Sequence, residues 1–448
     1  MRSASTMASE TASGHLAIGT PFTLPNGVTV KNRLVKAAMA EPYFTKDSLP
    51  HDQYNTNYAT WAHGGWGMVI TGNWYVDSKG CGGPGGVLLD NPSVPREVQV
   101  AKIAAFARAA AGVDGQTKVL VQLCHAGRQG IVGSGTRGLC EPGMAPSAVP
   151  QSVGSDIISR GLARLFFGGA PREMTHADID AVVDKFASAA KLVADAGCHG
   201  VELHGAHGYL ISQFLSAEAN RRTDEYGGSA LARARFAVRV VQAVRAVVPA
   251  DFVVGIKLNS VDYQTDIIRK GGDGAEDEVE DAAKVDRERQ LQGCIEQFAA
   301  IAAAGVDFVE VSGGSMADPQ MSVGPPKSER TKAREAFFLS FAETFRASFP
   351  DVPLMVTGGF RSRSGMEEAV AGGGTDLVGI GRAAVVSPAL PRDVVLNPDV
   401  PDPEARVDVP KYLPPWYLNW GPRLVGLGYE NVIYGSMITK LGVESGGK

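Results

Sequence analysis

Cysteine is scarce in this chain of 448 residues: five in all, at positions 81, 124, 140, 198 and 294, with no CxxC pair among them. An odd, widely spaced set argues against a disulfide framework, a zinc finger or an iron-sulfur cluster, and it suits a reducing compartment. No apolar run is long enough to cross a bilayer. The opening residues, MRSASTMASETASGH, lack an apolar core and read as a loose tail rather than a signal peptide. Excess charge of one sign is missing too. Lys and Arg number 43 against 48 Asp and Glu, a net charge of −5, and no basic stripe is available to hold a phosphate backbone. The expectation is a cytoplasmic protein with neither nucleic acid nor membrane as partner.

What is present is globular material. Hydrophobic residues make up 44% of the chain, enough for a large core. In TLPNGVTV, Asn26-Gly27 supplies the positive φ angles of a two-residue turn, which predicts a hairpin. Eight short apolar runs follow, at 34–38, 67–71, 118–123, 200–204, 252–258, 306–312, 353–357 and 376–381. They are almost wholly apolar rather than alternating, as strands of a parallel sheet covered on both faces would be. Between them lie amphipathic segments. The clearest spans 177–196, where Ile179, Val182, Val183, Phe186, Ala190 and Val193 share one helical face behind a capping box of Thr175 and Asp178.

Eight strands, each followed by helical sequence, predict an α/β fold of the (β/α)8 TIM-barrel type, with an N-terminal β-hairpin and a C-terminal extension. A long Gly-, Pro- and Ser-rich loop at 124–174 follows the third strand and is expected to shape the site. The stretch 271–290 is dense in both charges and reads as a solvated, helix-compatible insertion. The expected organisation is a tail at 1–20, a barrel at 21–395 and an extension at 396–448. That extension carries WYLNW and YENVIYG, and would pack on its own barrel or on a partner subunit in a homo-oligomer.

Barrel enzymes place their reacting groups at the C-terminal ends of the strands. Reading those positions gives Gln122, His125 and Arg128 after the third strand, His204, His207 and Tyr209 after the fourth, and Lys257 in the fifth. Gly358-Gly359 and Gly381-Arg382 follow the seventh and eighth. Glycine-rich ends on the last two strands, with an Arg, suit a phosphate, although each alone also reads as a tight left-handed turn. For His204 and His207, with Tyr209 beyond, three roles compete: metal ligands, hydrogen-bonded structural histidines, or two donors polarising a substrate oxygen with Tyr209 as proton donor. No third ligand is evident, and no metal is expected. Gly133 to Gly138 matches GxGxxG in letters only, because no strand leads into it and Pro142 follows soon after.

These residues, in this order, resemble the Old Yellow Enzyme family of FMN-dependent ene-reductases, from about Pro21 to about Pro388. The most specific stretch is HGAHGYLISQFLSAEANRRTDEYGG, from His204 to Gly228. NRLVKAAM (32–39), VQLCHAGRQG (121–130) and DLVGIGR (376–382) support it. The pattern is nearer the bacterial and filamentous-fungal branch than the yeast one.

The resemblance implies an FMN barrel reduced by NADPH or NADH and reoxidised by an electron-poor alkene in a ping-pong cycle. By position, Gln122 would bond the isoalloxazine edge. Ala38, Met39, Ala40 and Asn73 would line the ring, and Lys257 would stand near the flavin N1–C2 edge. Gly359, Gly381 and Arg382, with Gly313 and Gly314 nearby, would hold the phosphate. His204 and His207 would bind the activating carbonyl or nitro oxygen, and Tyr209 would protonate Cα.

The sequence also departs from the family pattern. Lys257 stands where many members have Arg, Ala40 where Thr or Cys is frequent, and Asn73 where a small residue is usual. With no cysteine cluster after the barrel, a stand-alone flavoenzyme is expected. Two other readings remain at this point: a pathway-specific flavin oxidoreductase or isomerase acting on a natural product, and a non-redox flavin-binding scaffold barrel.

Overall fold

A computed structural model of the chain describes residues 16–43, 45–83, 85–89, 91–152, 157–259, 276–312, 344–413, 415 and 429–441, with side chains of the 276–303 helix described from 288 onward. Eight strands pair in parallel around a closed ring: Leu34–Lys36, Met68–Tyr75, Lys118–Cys124, Gly200–Gly205, Val253–Asn259, Phe308–Ser312, Leu354–Thr357 and Leu377–Ile380. Ring closure comes from the last strand pairing with the first (Gly379 opposite Val35) and the first with the second (Lys36 opposite Val69). All eight apolar runs are strands, and the fold is the predicted TIM barrel. Their burial on both faces explains why the sequence pattern was continuous rather than alternating.

The hairpin pairs Phe22 with Val30 and Thr23 with Thr29 around Asn26-Gly27, where Gly27 takes φ +86°. Its Leu24 and Val30 pack with Val35, Met68, Ile70, Leu120, Val253, Phe308, Met355 and Leu377, the inward side chains near the strands' N-terminal ends. The hairpin is therefore the barrel's floor, and chemistry is left to the opposite mouth. Packing there is tight enough to forbid a side chain at Gly255, where a Cβ would lie 2.2 Å from the Phe308 ring.

Outside the ring, the helix His176–Asp195 starts one residue before its predicted position. Thr175 Oγ1 accepts from the Asp178 N–H, and the Asp178 carboxylate accepts from the Thr175 N–H, closing the capping box. Its buried face includes the six predicted residues, with Ala189 and Leu192 added. The charged stretch differs from a separate insertion: from Glu276 it is the first half of a 28-residue helix that ends at Ala303, immediately before the sixth strand. Residues 271–275 lie outside the described residues. Within the loop after the third strand, Ile157–Phe167 is helical, and Arg137 ties the loop together by donating to the carbonyls of Gly130, Glu141 and Phe167. The GxGxxG letters fall in those turns, away from any strand-to-helix junction.

The barrel's last helix joins its first. Trp61 and Trp66 donate their indole N–H groups to the carbonyls of Ala384 and Pro388. Near the C-terminus, the helix Tyr429–Ile438 returns to the mouth, where the Ile438 carbonyl accepts from Asn57. Among the described residues no helix is long and apolar enough to cross a membrane.

Candidate active site

The mouth is built from strand ends. Ala38, Met39 and Ala40 follow the first strand and are partly or fully exposed. Gly72 lets them approach, since a Cβ there would stand 2.3 Å from the Met39 carbonyl oxygen. Between Ile70 and Asn73 the register against the third strand slips, so that Ile70 faces Leu120 while Asn73 faces Gln122. Such a bulge inverts the in-and-out alternation beyond it. Met68 and Ile70 point inward before it; after it, Trp74 packs outward on the helices while Tyr75 joins the mouth.

Below the mouth lies a buried charged cluster. Gln122 donates to Glu202 at 2.7 Å, and Lys257 Nζ stands 2.6 Å from the Glu310 carboxylate. All four side chains are buried. Burial and the neighbouring Glu310 charge push the Glu202 carboxyl well above its usual range, which favours its protonated form. Burial works to raise Glu310, but the Lys257 charge together with hydrogen bonds from Glu202, Lys257 and Thr357 holds this carboxyl below the usual range. Glu202 and Glu310 thus lie side by side next to Lys257, each shifting the other. Glu202 and Glu310 were missed from the sequence because each sits inside an apolar strand run, with no motif around it.

His204 ends the fourth strand and His207 follows in a tight loop, with His207 at φ +59°. A left-handed non-glycine residue needs its surroundings to hold it there. Three side chains do so. The His207 N–H donates to Asn259 Oδ1 at 2.9 Å, Gln129 donates to the His207 carbonyl at 3.0 Å, and Gln213 donates to the Gly208 carbonyl at 2.7 Å. Sequence reasoning missed all three, since neither an asparagine at a strand end nor a glutamine in a loop or helix carries a distinguishing pattern.

Burial, its partner His207 and the Lys257 charge press His204 well below the ordinary imidazole range. Burial and Lys257 press His207 down to about 3. Both rings are thus neutral at physiological pH, and their tautomers follow from their partners. His204 Nδ1 accepts from the Ala206 N–H at 3.3 Å, which leaves its Nε2–H to donate to His207 Nδ1, also at 3.3 Å. His207 Nε2–H then faces Ser312 Oγ at 3.2 Å. The result is a relay of neutral N–H donors opening toward the mouth.

Tyr209 caps the short helix Leu210–Leu215 and lies edge-on to His204, with ring centroids 4.6 Å apart. Its phenol is partly buried against Tyr75, Cys81, Leu88 and Cys124. Burial and Cys124 raise its pKa above the usual phenol range, while a hydrogen bond from Asn73, 3.0 Å from Nδ2 to Oη, works the other way.

On the far side, Gly358 and Gly359 take φ +128° and +81° after the seventh strand. Space is open where a Gly358 Cβ would be. Arg382 begins the helix after Gly381, and its guanidinium donates to Glu430 of the C-terminal helix at 2.9 Å. Exposed glycine backbone beside a guanidinium fits a phosphate, and the Gln122 and Lys257 groups at the barrel centre fit the polar edge of a flavin ring. Gly313 and Gly314 lie outside the described residues. His125 is not part of the mouth: its ring is buried against Gly80, with Nδ1 accepting from the Gly127 N–H.

A closed parallel barrel with glycine-rich ends on its last two strands and a histidine pair at its mouth accords with the class of FMN-dependent, NAD(P)H-reduced oxidoreductases of the Old Yellow Enzyme type. The chain belongs to the NADH:flavin oxidoreductase / NADH oxidase family, which it matches over residues 17–397. It is 41% identical to an NADH-dependent flavin oxidoreductase of Hypocrea jecorina, over 89% of this chain and 94% of that one. A protein of the same description from Talaromyces variabilis is also 41% identical, over 93% and 95%. A third, from a Neonectria species, is 43% identical over 94% of this chain, which spans only 53% of that longer relative. Among solved structures, morphinone reductase superposes with a TM-score of 0.62 at 22% identity, covering 84% of this chain and 89% of its own. An Old Yellow Enzyme homologue of Zymomonas mobilis gives 0.63 at 20% identity, over 88% and 97%. At these identities the structural likeness speaks for the fold alone.

Proposed function

We propose that this chain reduces the activated C=C bond of α,β-unsaturated carbonyl or nitro compounds, with NADH or NADPH as the reductant. The observation that carries the reading is the neutral donor pair His204 and His207 set against the Tyr209 phenol at the open mouth. Bound FMN, once reduced, supplies a hydride to Cβ of the alkene.

The protein's part is electrophilic assistance and proton supply. His204 Nε2–H and His207 Nε2–H, which here donate to His207 Nδ1 and Ser312 Oγ, would turn from those partners to bind the carbonyl or nitro oxygen and stabilise the charge that develops there as the enolate forms. Removing either donor should cost roughly 10²- to 10³-fold in alkene turnover. Tyr209 gives its phenolic proton to Cα, and solvent returns it. Lys257 and Gln122 would hold the pyrimidine edge of the flavin. Arg382 with Gly359 and Gly381 would hold the phosphate, and Ala38, Met39 and Ala40 would line the ring.

The test separates two half-reactions under anaerobic conditions. Tyr209→Phe should slow reoxidation by cyclohexenone or maleimide far more than it slows flavin reduction. Equal slowing of both steps would refute its assignment as proton donor, and failure of a broad panel of such alkenes would refute ene reduction. The three fungal relatives, each described as an NADH-dependent flavin oxidoreductase, favour NADH over NADPH here. They also favour a physiological substrate particular to one pathway, in which case turnover on that compound should exceed turnover on simple enones.

A further inference from the structure

Resting on the reading of Tyr209 as proton donor, we infer that Asn73 is a positioning residue that acts through Tyr209, rather than a lining residue of the flavin. The inference starts from backbone geometry. Without the slip between Ile70 and Asn73, strict alternation from Met68 and Ile70 would turn Asn73 outward, toward the helices. The bulge brings it inward, level with Gln122, and its amide reaches across to the phenol of Tyr209, 136 residues further along the chain.

The direction of that bond matters. Asn73 Nδ2–H donates to Tyr209 Oη, so the phenol's own proton is left free to leave. Tyr75, Cys81, Leu88 and Cys124 pack against the same side chain, and the His204 ring lies edge-on to it. Among the described residues, the Asn73 amide is the strong donor at that oxygen.

When the proton moves, the Tyr209 O–H bond breaks and a Cα–H bond forms. The alkene π electrons make that new bond, and the hydride supplied to Cβ brings the second electron pair. The O–H electron pair stays on the Tyr209 oxygen as a phenolate, which the Asn73 N–H stabilises until water returns a proton. A donor to a charged oxygen is stronger than a donor to a neutral one, so the contact favours the later state over the earlier. The same amide also hydrogen-bonds the Tyr75 phenol.

The test uses the flavin-loaded protein with Asn73→Leu, which removes the donor at similar volume, and Asn73→Asp, which replaces it by an acceptor. Anaerobic reoxidation by an enone should slow roughly 10- to 100-fold in both, with NADH reduction of the flavin changed far less. The solvent deuterium isotope effect on reoxidation should rise as proton transfer becomes more limiting. The Tyr209 13Cζ resonance, identified by its loss in Tyr209→Phe, should shift in both variants, and this readout needs no turnover. In the Tyr209→Phe background, adding Asn73→Leu should cost nothing further.

Equal slowing of both half-reactions, or an additive double variant, would overturn the inference and return Asn73 to the flavin. Normal reoxidation in Asn73→Leu, with slow reoxidation in Tyr209→Phe, would overturn it while leaving Tyr209 as the donor. Normal reoxidation in Tyr209→Phe would remove the proposed function and this inference with it.

Discussion

Substituting Lys257 by Met tests the charge arrangement beneath the mouth and requires no substrate. Lys257 and Glu310 are both buried and stand 2.6 Å apart, with Glu202 nearby. Without the lysine, Glu310 must either remain a bare buried anion or take up a proton on folding. The second course is cheaper.

An unfolded glutamate releases its proton near pH 4.3, so folding with that proton retained costs about 1.4 kcal/mol for each pH unit above this value. At pH 7 the sum is about 3.7 kcal/mol, within the 3–5 kcal/mol usual for a broken buried pair. At pH 5 it falls to about 1 kcal/mol. The sign is fixed by the direction of the shift. In the wild type, Glu310 lies below its usual range and gives no such loss, whereas in the variant its folded pKa is raised and stability falls as pH climbs past the unfolded value. Because each of the two carboxyls shifts the other, the pH slope reads proton uptake by Glu202 and Glu310 together. Urea denaturation followed by tryptophan fluorescence at several pH values would measure the difference. Lys257→Met with Glu310→Gln should regain most of the loss at pH 7. A loss independent of pH, or a double variant as unstable as the single one, would refute the assigned charges.

Three other outcomes follow from the geometry. His204 and His207 are neutral when folded but take up protons near pH 6.5 when unfolded, so stability should fall as pH drops from about 6.5 to 4, by up to about 1.4 kcal/mol per unit for each; His204→Gln should reduce that slope in an acid denaturation series. Glu430→Gln frees Arg382 for a phosphate, and the FMN dissociation constant measured by fluorescence quenching should fall severalfold; a rise would mean that Glu430 holds Arg382 in place. Gly255→Ala drives a methyl group into the Phe308 ring and should cost about 1–3 kcal/mol in urea denaturation.

The barrel was legible because its strands are buried on both faces: runs such as 252–258 could belong to little else when separated by helical periods. The hairpin was legible from Asn26-Gly27, although its place as the floor was not, since packing of Leu24 on Phe308 joins residues far apart in the chain. Within the site, HGAHGY identified His204, His207 and Tyr209 because three polar residues stand where an apolar strand ends. Asn259, Gln129 and Gln213, which hold that loop, gave no sequence signal; their roles arise from backbone acceptors and donors that only folding brings within reach. In the 271–290 stretch the helix-compatible reading agrees with the helix from Glu276, but its run on to Ala303 was not legible from the charge pattern.

The most direct measurement is the anaerobic absorbance of the purified protein with FMN, first on addition of NADH and then of cyclohexenone or maleimide. The account predicts a flavin band that bleaches with the nicotinamide and returns with the alkene at a rate that collapses in Tyr209→Phe. A band that bleaches but stays bleached with every electron-poor alkene would contradict ene reduction, and a protein that neither binds nor reduces FMN would contradict the site.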